Sequence, residues 1–439
     1  MKKATSLILA LVLLVSISNI SFADKPSISA EAAILIDAKT GKILYSKNPH
    51  KKMYPASTTK ILTGILAIEK GILNEQVIVD DKTPYEIEGS HIALEPGEVV
   101  TFNDLLHALL IESANDAAVV IAKHISGSVE EFSKLMNKKA KEIGAKNTHF
   151  VNPHGLTNKE HVTTAYDLAM IAKYSMNNDT FRDIVKKYRY TIGPTNKKEK
   201  TRYLITSNRL LYATGPGNRI RVDGKIVDIK YDGITGIKTG YTYEAQQCLV
   251  ASAKRGNQEL ISVVLKAIGT NVYVDTHKLL NYGFNNFINK QFAFKNEYIQ
   301  NIKVEHGNVS FATAIVEKPF FLTVSEDEID KIKRKIVLPD KISAPVTKGQ
   351  VLGRIEFSLN GETLGFVNII SAIDVNQKGI FQVVNKTDNK DSILKKWWIW
   401  PILLFAGWRT RIAYKRYKRK KRRYKRGLIY SYNNSKKYY

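Results

Sequence analysis

The stretch YPASTTKILTG, residues 54–64, holds a serine and a lysine three positions apart, Ser57 and Lys60. Behind it Ile61, Leu62, Ile65, Leu66 and Ile68 recur at helical spacing and Gly71 offers a stop, so the pattern predicts a helix that Ser57 opens and caps. Side chains three apart on a helix share a face. The pair is therefore either the capped start of a buried helix or a nucleophile beside its own base.

Outward from this helix, residues 24–290 read as one α/β region. AAILIDAKTGKILYSKN (32–48) has two β-rich runs around Lys39-Thr40-Gly41, which predicts a hairpin with that tripeptide as its turn. Thr101-Phe102-Asn103-Asp104 and Thr164-Ala165-Tyr166-Asp167 have the form of helix N-termini. After Gly233 the pattern becomes strand: ITGIKTGYT, then CLVASAKRGNQELISVVLKA folded at Arg255-Gly256-Asn257. Residues 291–385 are short strands, with Asn360-Gly361 marking a tight hairpin, and predict a separate small all-β domain.

Single motifs decide nothing here. Ser-x-x-Lys recurs at Ser392, Lys-Thr-Gly at Lys39, and Ser-x-Asn at Ser175, Ser358 and Ser431. One ordered combination carries information: Ser57-x-x-Lys60 opening a helix, Ser113-Ala114-Asn115 after an apolar helix, and Lys238-Thr239-Gly240 on a later strand. This set resembles that of the penicillin-binding proteins and serine β-lactamases. The closer resemblance is to the low-molecular-mass D-alanyl-D-alanine carboxypeptidases. YPASTTKILT, GSHIALEPGE, DLLHALLIESANDAA, THFVNPHGL, TTAYDLA, GIKTGYT and DTHKLLNYGF follow in their order, from about Ser29 to Val375.

The resemblance implies an α/β fold of the β-lactamase/transpeptidase type, a mixed sheet flanked by helices with a helical subregion. A small β domain and a membrane anchor follow it. It implies hydrolysis of the last D-alanine from the peptidoglycan pentapeptide through an acyl-serine intermediate, with β-lactam antibiotics as inhibitors. Ser57 is then the nucleophile, Lys60 its base and Ser113 a proton relay. Asn115 binds a substrate amide, Lys238 takes the terminal carboxylate with Thr239 beside it, and Gly240 and Tyr241 complete the substrate-binding set. The backbone N–H groups of Ser57 and Tyr241 form the oxyanion hole. No metal and no organic cofactor is implied. Tyr241 stands where some relatives carry histidine, and Gln246 where the pattern has glycine.

The chemistry suits the residues. A serine hydroxyl is a poor nucleophile until a base takes its proton, and a lysine is a base only when neutral. Burial and a second cation such as Lys238 both favour the neutral amine. The histidines offer no HExxH pattern, and His154, in Asn152-Pro153-His154-Gly155, is read as shaping a loop. Cys248 is the one cysteine, so an internal disulfide is excluded, and it is read as a small strand residue near the site.

The ends of the chain point to export. Lys2 and Lys3, an apolar run from Leu7 to Val15 and Ser21-Phe22-Ala23 predict a signal peptide over residues 1–23. A polar linker (386–396) leads to WWIWPILLFAGW (397–408), short for an upright span, and then to a basic tail (409–439). No acid follows Asp391, while sixteen Lys and Arg fall between Lys395 and Lys437, most of the net charge of +26. Tryptophans at both ends of the apolar run fit a membrane anchor, spanning or lying in the interface, with the catalytic domain on the outer face of the cytoplasmic membrane. Beside an anchor the tail reads as topogenic and lipid-binding, and no nucleic acid is expected. Three rival readings share the motifs: a D,D-endopeptidase, a β-lactamase and an inactive peptidoglycan-binding protein.

Overall fold

The computed structural model describes residues 25–378 and 399–434, the side chains of Ile399 and of 424–434 excepted. The predicted signal peptide, the whole polar linker 386–396 and Trp397 and Trp398 of the predicted anchor lie outside the described residues. Contacts divide the chain into two units. The first holds residues up to 293 with 319–334 and 357–365. The second holds 294–318, 335–356 and 366 onward.

The first unit is built on a five-stranded sheet. In spatial order its strands are Ile43–Lys47, Ala32–Asp37, Gln258–Ala267, Gln246–Arg255 and Ile234–Thr242. Neighbours pair antiparallel, with Ile34 opposite Val263 and Val250 opposite Lys238. Ala32–Asp37 is buried on both faces. Its alternate residues therefore feed two cores, as period-two strand geometry requires. Ile34 and Ile36 join one cluster with Ile61, Leu62, Leu66 and Leu110. Leu35 joins the other with Leu279 and Leu280 of the helix Asn271–Asn286. A Cβ on Gly283 of that helix would stand 2.7 Å from Leu35 and 2.5 Å from Leu260, so only glycine lets it settle this close to the sheet.

The helix Lys60–Lys70 runs through the first core, with Ile61, Leu62, Ile65 and Leu66 buried. Fully burying each such side chain contributes about 1.5–3 kcal/mol. Gly71 ends this helix with an extended backbone, φ −91°. It is glycine for space, because a Cβ there would lie 2.3 Å from the Phe102 ring. Thr101 and Thr164 cap their helices as the sequence predicts, each hydroxyl accepting the N–H three residues on at 3.0 Å. The Lys39–Gly41 turn also forms, with Gly41 at φ +80° and its N–H donating to Asp37 at 2.9 Å.

The second unit contains most of a six-stranded sheet in the order Lys333–Val337, Val351–Leu359, Glu362–Ser371, Phe311–Val316, Tyr298–Glu305 and Lys341–Ser343. Asn360 and Gly361 both take positive φ at the predicted hairpin, as a two-residue primed turn requires. Residues Ile399–Asn434 form one helix of 36 residues. Among the described residues no helix is long and apolar enough to cross a membrane.

Candidate active site

The Ser57 corner differs from its sequence reading in one respect. Ser57 lies in a 3-10 turn, Ala56–Thr59, and the α-helix starts only at Lys60. Thr59 occupies the N-cap position and no side chain caps the helix, so the Ser57 hydroxyl is not engaged as a cap. Thr58 and Thr59 bond the backbone instead, each hydroxyl donating three residues back, to Pro55 at 2.7 Å and Ala56 at 2.9 Å. Two glycines press on this corner. A Cβ on Gly240 would stand 2.9 Å from the Ser57 amide nitrogen, and one on Gly155 would stand 1.9 Å from the Ala56 carbonyl oxygen.

Lys60 is fully buried. Its Nζ lies 3.0 Å from Ser57 Oγ, 2.6 Å from Asn115 Oδ1 and 2.7 Å from the His154 carbonyl oxygen. Burial pushes its pKa well below the usual lysine value, and the charge on Lys238 pushes the same way, while Asp116 opposes both. A neutral amine has two N–H donors and one lone pair. Asn115 Oδ1 and the His154 carbonyl can only accept, so they take the two donors and leave the lone pair to receive the Ser57 proton. The geometry is that of a nucleophile beside a base.

Ser113 and Asn115 come from an unusual segment. The helix Phe102–His107 widens into a π-helical turn, Ala108–Glu112, which stops at Ser113 in the left-handed conformation, φ 66°. A non-glycine residue there costs roughly 1–2 kcal/mol. Ser113 Oγ makes no hydrogen bond to a described residue, and Asn115 starts the next helix, Asn115–Ser126. The Asn115 Nδ2 donates to the Glu88 carbonyl at 2.6 Å, which fixes the amide so that Oδ1 faces Lys60. Asp116, absent from the motif reading, is buried. Its carboxylate accepts the N–H groups of Ile92 and Leu94, both at 3.1 Å, and so ties down the 88–95 loop whose Glu88 holds Asn115.

Lys238, Thr239, Gly240 and Tyr241 lie on Ile234–Thr242, an edge strand of the sheet. Lys238 is buried and its pKa falls to about 7 through desolvation, with Glu112 the opposing charge. Among the described residues its Nζ donates only to the Thr239 carbonyl, at 3.2 Å. The Thr239 hydroxyl pairs with Ser207 Oγ. Tyr241 is exposed, so its ring packs into no core. Gln246 takes φ 54°, a conformation suited to glycine, which explains why its place in the pattern is a glycine position.

The histidines near the site are wired as neutral structural groups. His161 Nδ1 accepts the Val151 N–H at 3.1 Å, and its Nε2 lies 2.8 Å from a Thr59 hydroxyl that already donates to Ala56. Nε2 therefore carries the proton and donates to Thr59. His154 presents its carbonyl to Lys60, while its ring Nδ1 accepts from Leu156 at 3.2 Å. Burial holds both imidazoles at about 3. Among the described residues no group of three His, Cys, Asp or Glu could hold a metal ion. Cys248, paired with Gly240 across the sheet, is buried with its thiol pushed up to about 12, which makes it an inert core residue.

Known proteins resemble this chain over most of its length. A family model described as D-alanyl-D-alanine carboxypeptidase matches residues 19–269. A model of the penicillin-binding protein 5 C-terminal domain matches residues 287–377. The chain is 36% identical to the D-alanyl-D-alanine carboxypeptidase DacF of Bacillus subtilis, over 82% of this chain and 89% of that one. It is 31% identical to the D-alanyl-D-alanine carboxypeptidase DacA of Haemophilus influenzae, over 87% and 91%. A crystal structure of penicillin binding protein 5 from Haemophilus influenzae superposes with a TM-score of 0.65 at 28% identity, covering 80% of this chain and 99% of that one.

Proposed function

The chain belongs to the D-alanyl-D-alanine carboxypeptidase family, and from that premise we infer that it hydrolyses the terminal D-alanine from D-Ala-D-Ala-ended peptidoglycan stem peptides and is acylated by β-lactams. The observation that carries this reading is the buried Lys60 amine, held 3.0 Å from Ser57 Oγ by two fixed acceptors.

In the mechanism we propose, Ser57 Oγ attacks the carbonyl carbon of the penultimate D-alanine and its proton passes to Lys60 Nζ. The oxyanion is stabilised by the N–H groups of Ser57 and Tyr241. Ser113 passes the proton to the nitrogen of the departing D-alanine, and the peptide C–N bond breaks. Water then hydrolyses the acyl-serine. Lys238 and Thr239 hold the terminal carboxylate, and Asn115 a substrate amide. The exposed edge of the strand lets the peptide add on as a further strand, beside the gap that Gly240 keeps open at the Ser57 amide.

The organisation we propose is a leader over residues 1–23, a catalytic domain over 24–290, a β domain over 291–385 and a membrane tether from 397. The enzyme then works on the outer face of the cytoplasmic membrane. Support for the tether comes from the helix Ile399–Asn434, which exposes Trp400, Ile402, Leu403, Leu404, Phe405 and Trp408 just before its basic stretch. An interfacial position suits that composition.

The deciding experiment measures D-alanine release from a D-Ala-D-Ala-terminated pentapeptide, wild type beside Ser57→Ala. Release by the wild type and none by the variant is expected. No release by a folded wild type that still binds penicillin would replace hydrolysis of the terminal residue with cross-link cleavage or binding alone.

A further inference from the structure

Two buried lysines face this site, and each has its own carboxylate. Asp116 acts on Lys60, and Glu112 acts on Lys238. The two acids bracket Ser113-Ala114-Asn115 in the sequence. Asp116 also fastens the 88–95 loop, as described above. Glu112 has a mechanical task of its own: its Oε2 accepts the Ile205 N–H at 2.9 Å, at the end of the strand Arg202–Ile205. Two residues on, Ser207 Oγ pairs with Thr239 Oγ1. Residues 205–207 are thus strung between the residue before Ser113 and the residue after Lys238.

We propose that Glu112 is a positioning residue of the acyl-transfer site, clamping segment 205–207 beside the Lys238-Thr239-Gly240 strand and supplying the counter-charge that keeps Lys238 cationic for the substrate carboxylate. This rests on the reading of Lys238 as the carboxylate-binding group. The hydrogen bonding of the two lysines supports that division. Lys60 has three hydrogen-bond partners, whereas Lys238, equally buried, has only the Thr239 carbonyl among the described residues. Its remaining donors are left for an anion.

Other charges on elements packed against the strand are engaged elsewhere. Arg182 forks onto Glu259, Asp183 pairs with Lys186, Arg209 bonds Asn218, and Arg255 lies over Tyr231. Asp179 heads the helix Asp179–Val185, and Lys254 is exposed on the neighbouring strand. Arg202, on the strand that Glu112 holds, is paired with the buried Glu98. Lys60 faces Lys238 as a neutral amine, so Glu112 is left as the compensating charge.

The test uses the full chain and compares wild type, Glu112→Gln, Glu112→Ala and Lys238→Ala. It records kcat/KM against pH for a D-Ala-D-Ala-terminated peptide, and acylation rates by penicillin and by its methyl ester. Glutamine keeps an acceptor for the Ile205 N–H and removes only the charge. The expected result for Glu112→Gln is an alkaline limb displaced downward by about one pH unit, the small end of what one neighbouring charge does. At pH 8 this reads as a loss approaching tenfold, expressed in KM, with acylation by the ester unchanged. Glu112→Ala is expected to slow acylation by the ester as well. An unmoved limb in Glu112→Gln, with only the alanine variant impaired, would reduce Glu112 to a hydrogen-bond staple and overturn the proposal. If Lys238→Ala leaves the preference for penicillin over its ester intact, the carboxylate reading itself fails, and that result is distinct from the first.

Discussion

The backbone of Gly155 packs so closely on Ala56 that a Cβ would lie 1.9 Å from the Ala56 carbonyl oxygen, one residue before Ser57, the proposed nucleophile. Gly155 also sits at φ +91°, where any other residue is strained. Gly155→Ala must therefore displace the 3-10 turn that presents Ser57. Backbone strain of this kind costs about 1–3 kcal/mol, and 1.4 kcal/mol is a factor of about ten in rate if it falls on the acylation barrier. The expected outcome is labelling by a fluorescent penicillin slowed by at least about tenfold, with a lowered Tm. Wild-type labelling would show that the loop yields without moving Ser57.

Lys60→Ala removes the proposed base and also leaves Asn115 Oδ1 and the His154 carbonyl without their donor. Loss of a positioned general base costs about 10²–10⁴ in rate. Acylation by penicillin is expected to fall by that much while the far-UV circular dichroism stays native. Near-normal acylation would remove Lys60 from the mechanism.

In the mechanism proposed above, the two lysines set opposite limbs of the pH profile. Lys60 works when neutral, so acylation rises with pH through its depressed pKa. Lys238 works when protonated, and its value of about 7 in the free enzyme makes kcat/KM fall as pH rises past that point. A bound carboxylate favours the ammonium, so the alkaline limb of kcat is expected to lie above that of kcat/KM. Measuring both limbs on one peptide checks this. Coincident limbs would mean that Lys238 does not meet the carboxylate.

What the sequence made legible follows from locality. Ser57 and Lys60 are three apart, Ser113 and Asn115 two apart, and the period-two strands declare themselves, so spacing suffices to group them. The partners of Lys60 are another matter. The His154 carbonyl is 94 residues away and is a backbone atom, which any residue type supplies. Gly155 reads as a loop glycine until the Ala56 carbonyl is seen against it. Asp116 and Glu112 look like helix-surface acids, because their acceptors meet backbone N–H groups on a distant loop and a distant strand end rather than any patterned side chain. Spacing makes Ser57 a helix cap for a related reason: one 3-10 turn separates the serine from the α-helix, and the apolar periodicity behind it is the same either way.

Acid stability reports on the buried imidazoles. His154 and His161 sit at about 3 and His107 at about 4, against an ordinary value of 6.5. The unfolded chain takes up protons below pH 6.5 that the native state refuses. Their contribution to stability is thus complete above 6.5 and is lost as pH falls toward the native values. Between pH 6.5 and 5 carboxylates remain ionised in both states, so the histidines dominate this window. Tm is expected to fall over it, and less steeply in His161→Gln. A flat wild-type Tm would show that these rings take up protons without unfolding.

The C-terminal helix offers a separable test. Its first turns expose Trp400, Leu403, Leu404 and Trp408, and its basic stretch from Arg409 to Arg423 carries no acid. Apolar side chains partition into the headgroup boundary, and the lysines and arginines add attraction to anionic lipid of about 1 kcal/mol each near the surface. Deleting residues from Ile393 onward is expected to leave D-alanine release intact and to abolish flotation with vesicles rich in anionic lipid. The intact chain should float with those vesicles and release from them as salt rises, because screening weakens the charged contribution and not the apolar one. Flotation that survives the deletion would place the membrane contact elsewhere in the chain. Flotation indifferent to lipid charge would assign the contact to the tryptophans and leucines alone.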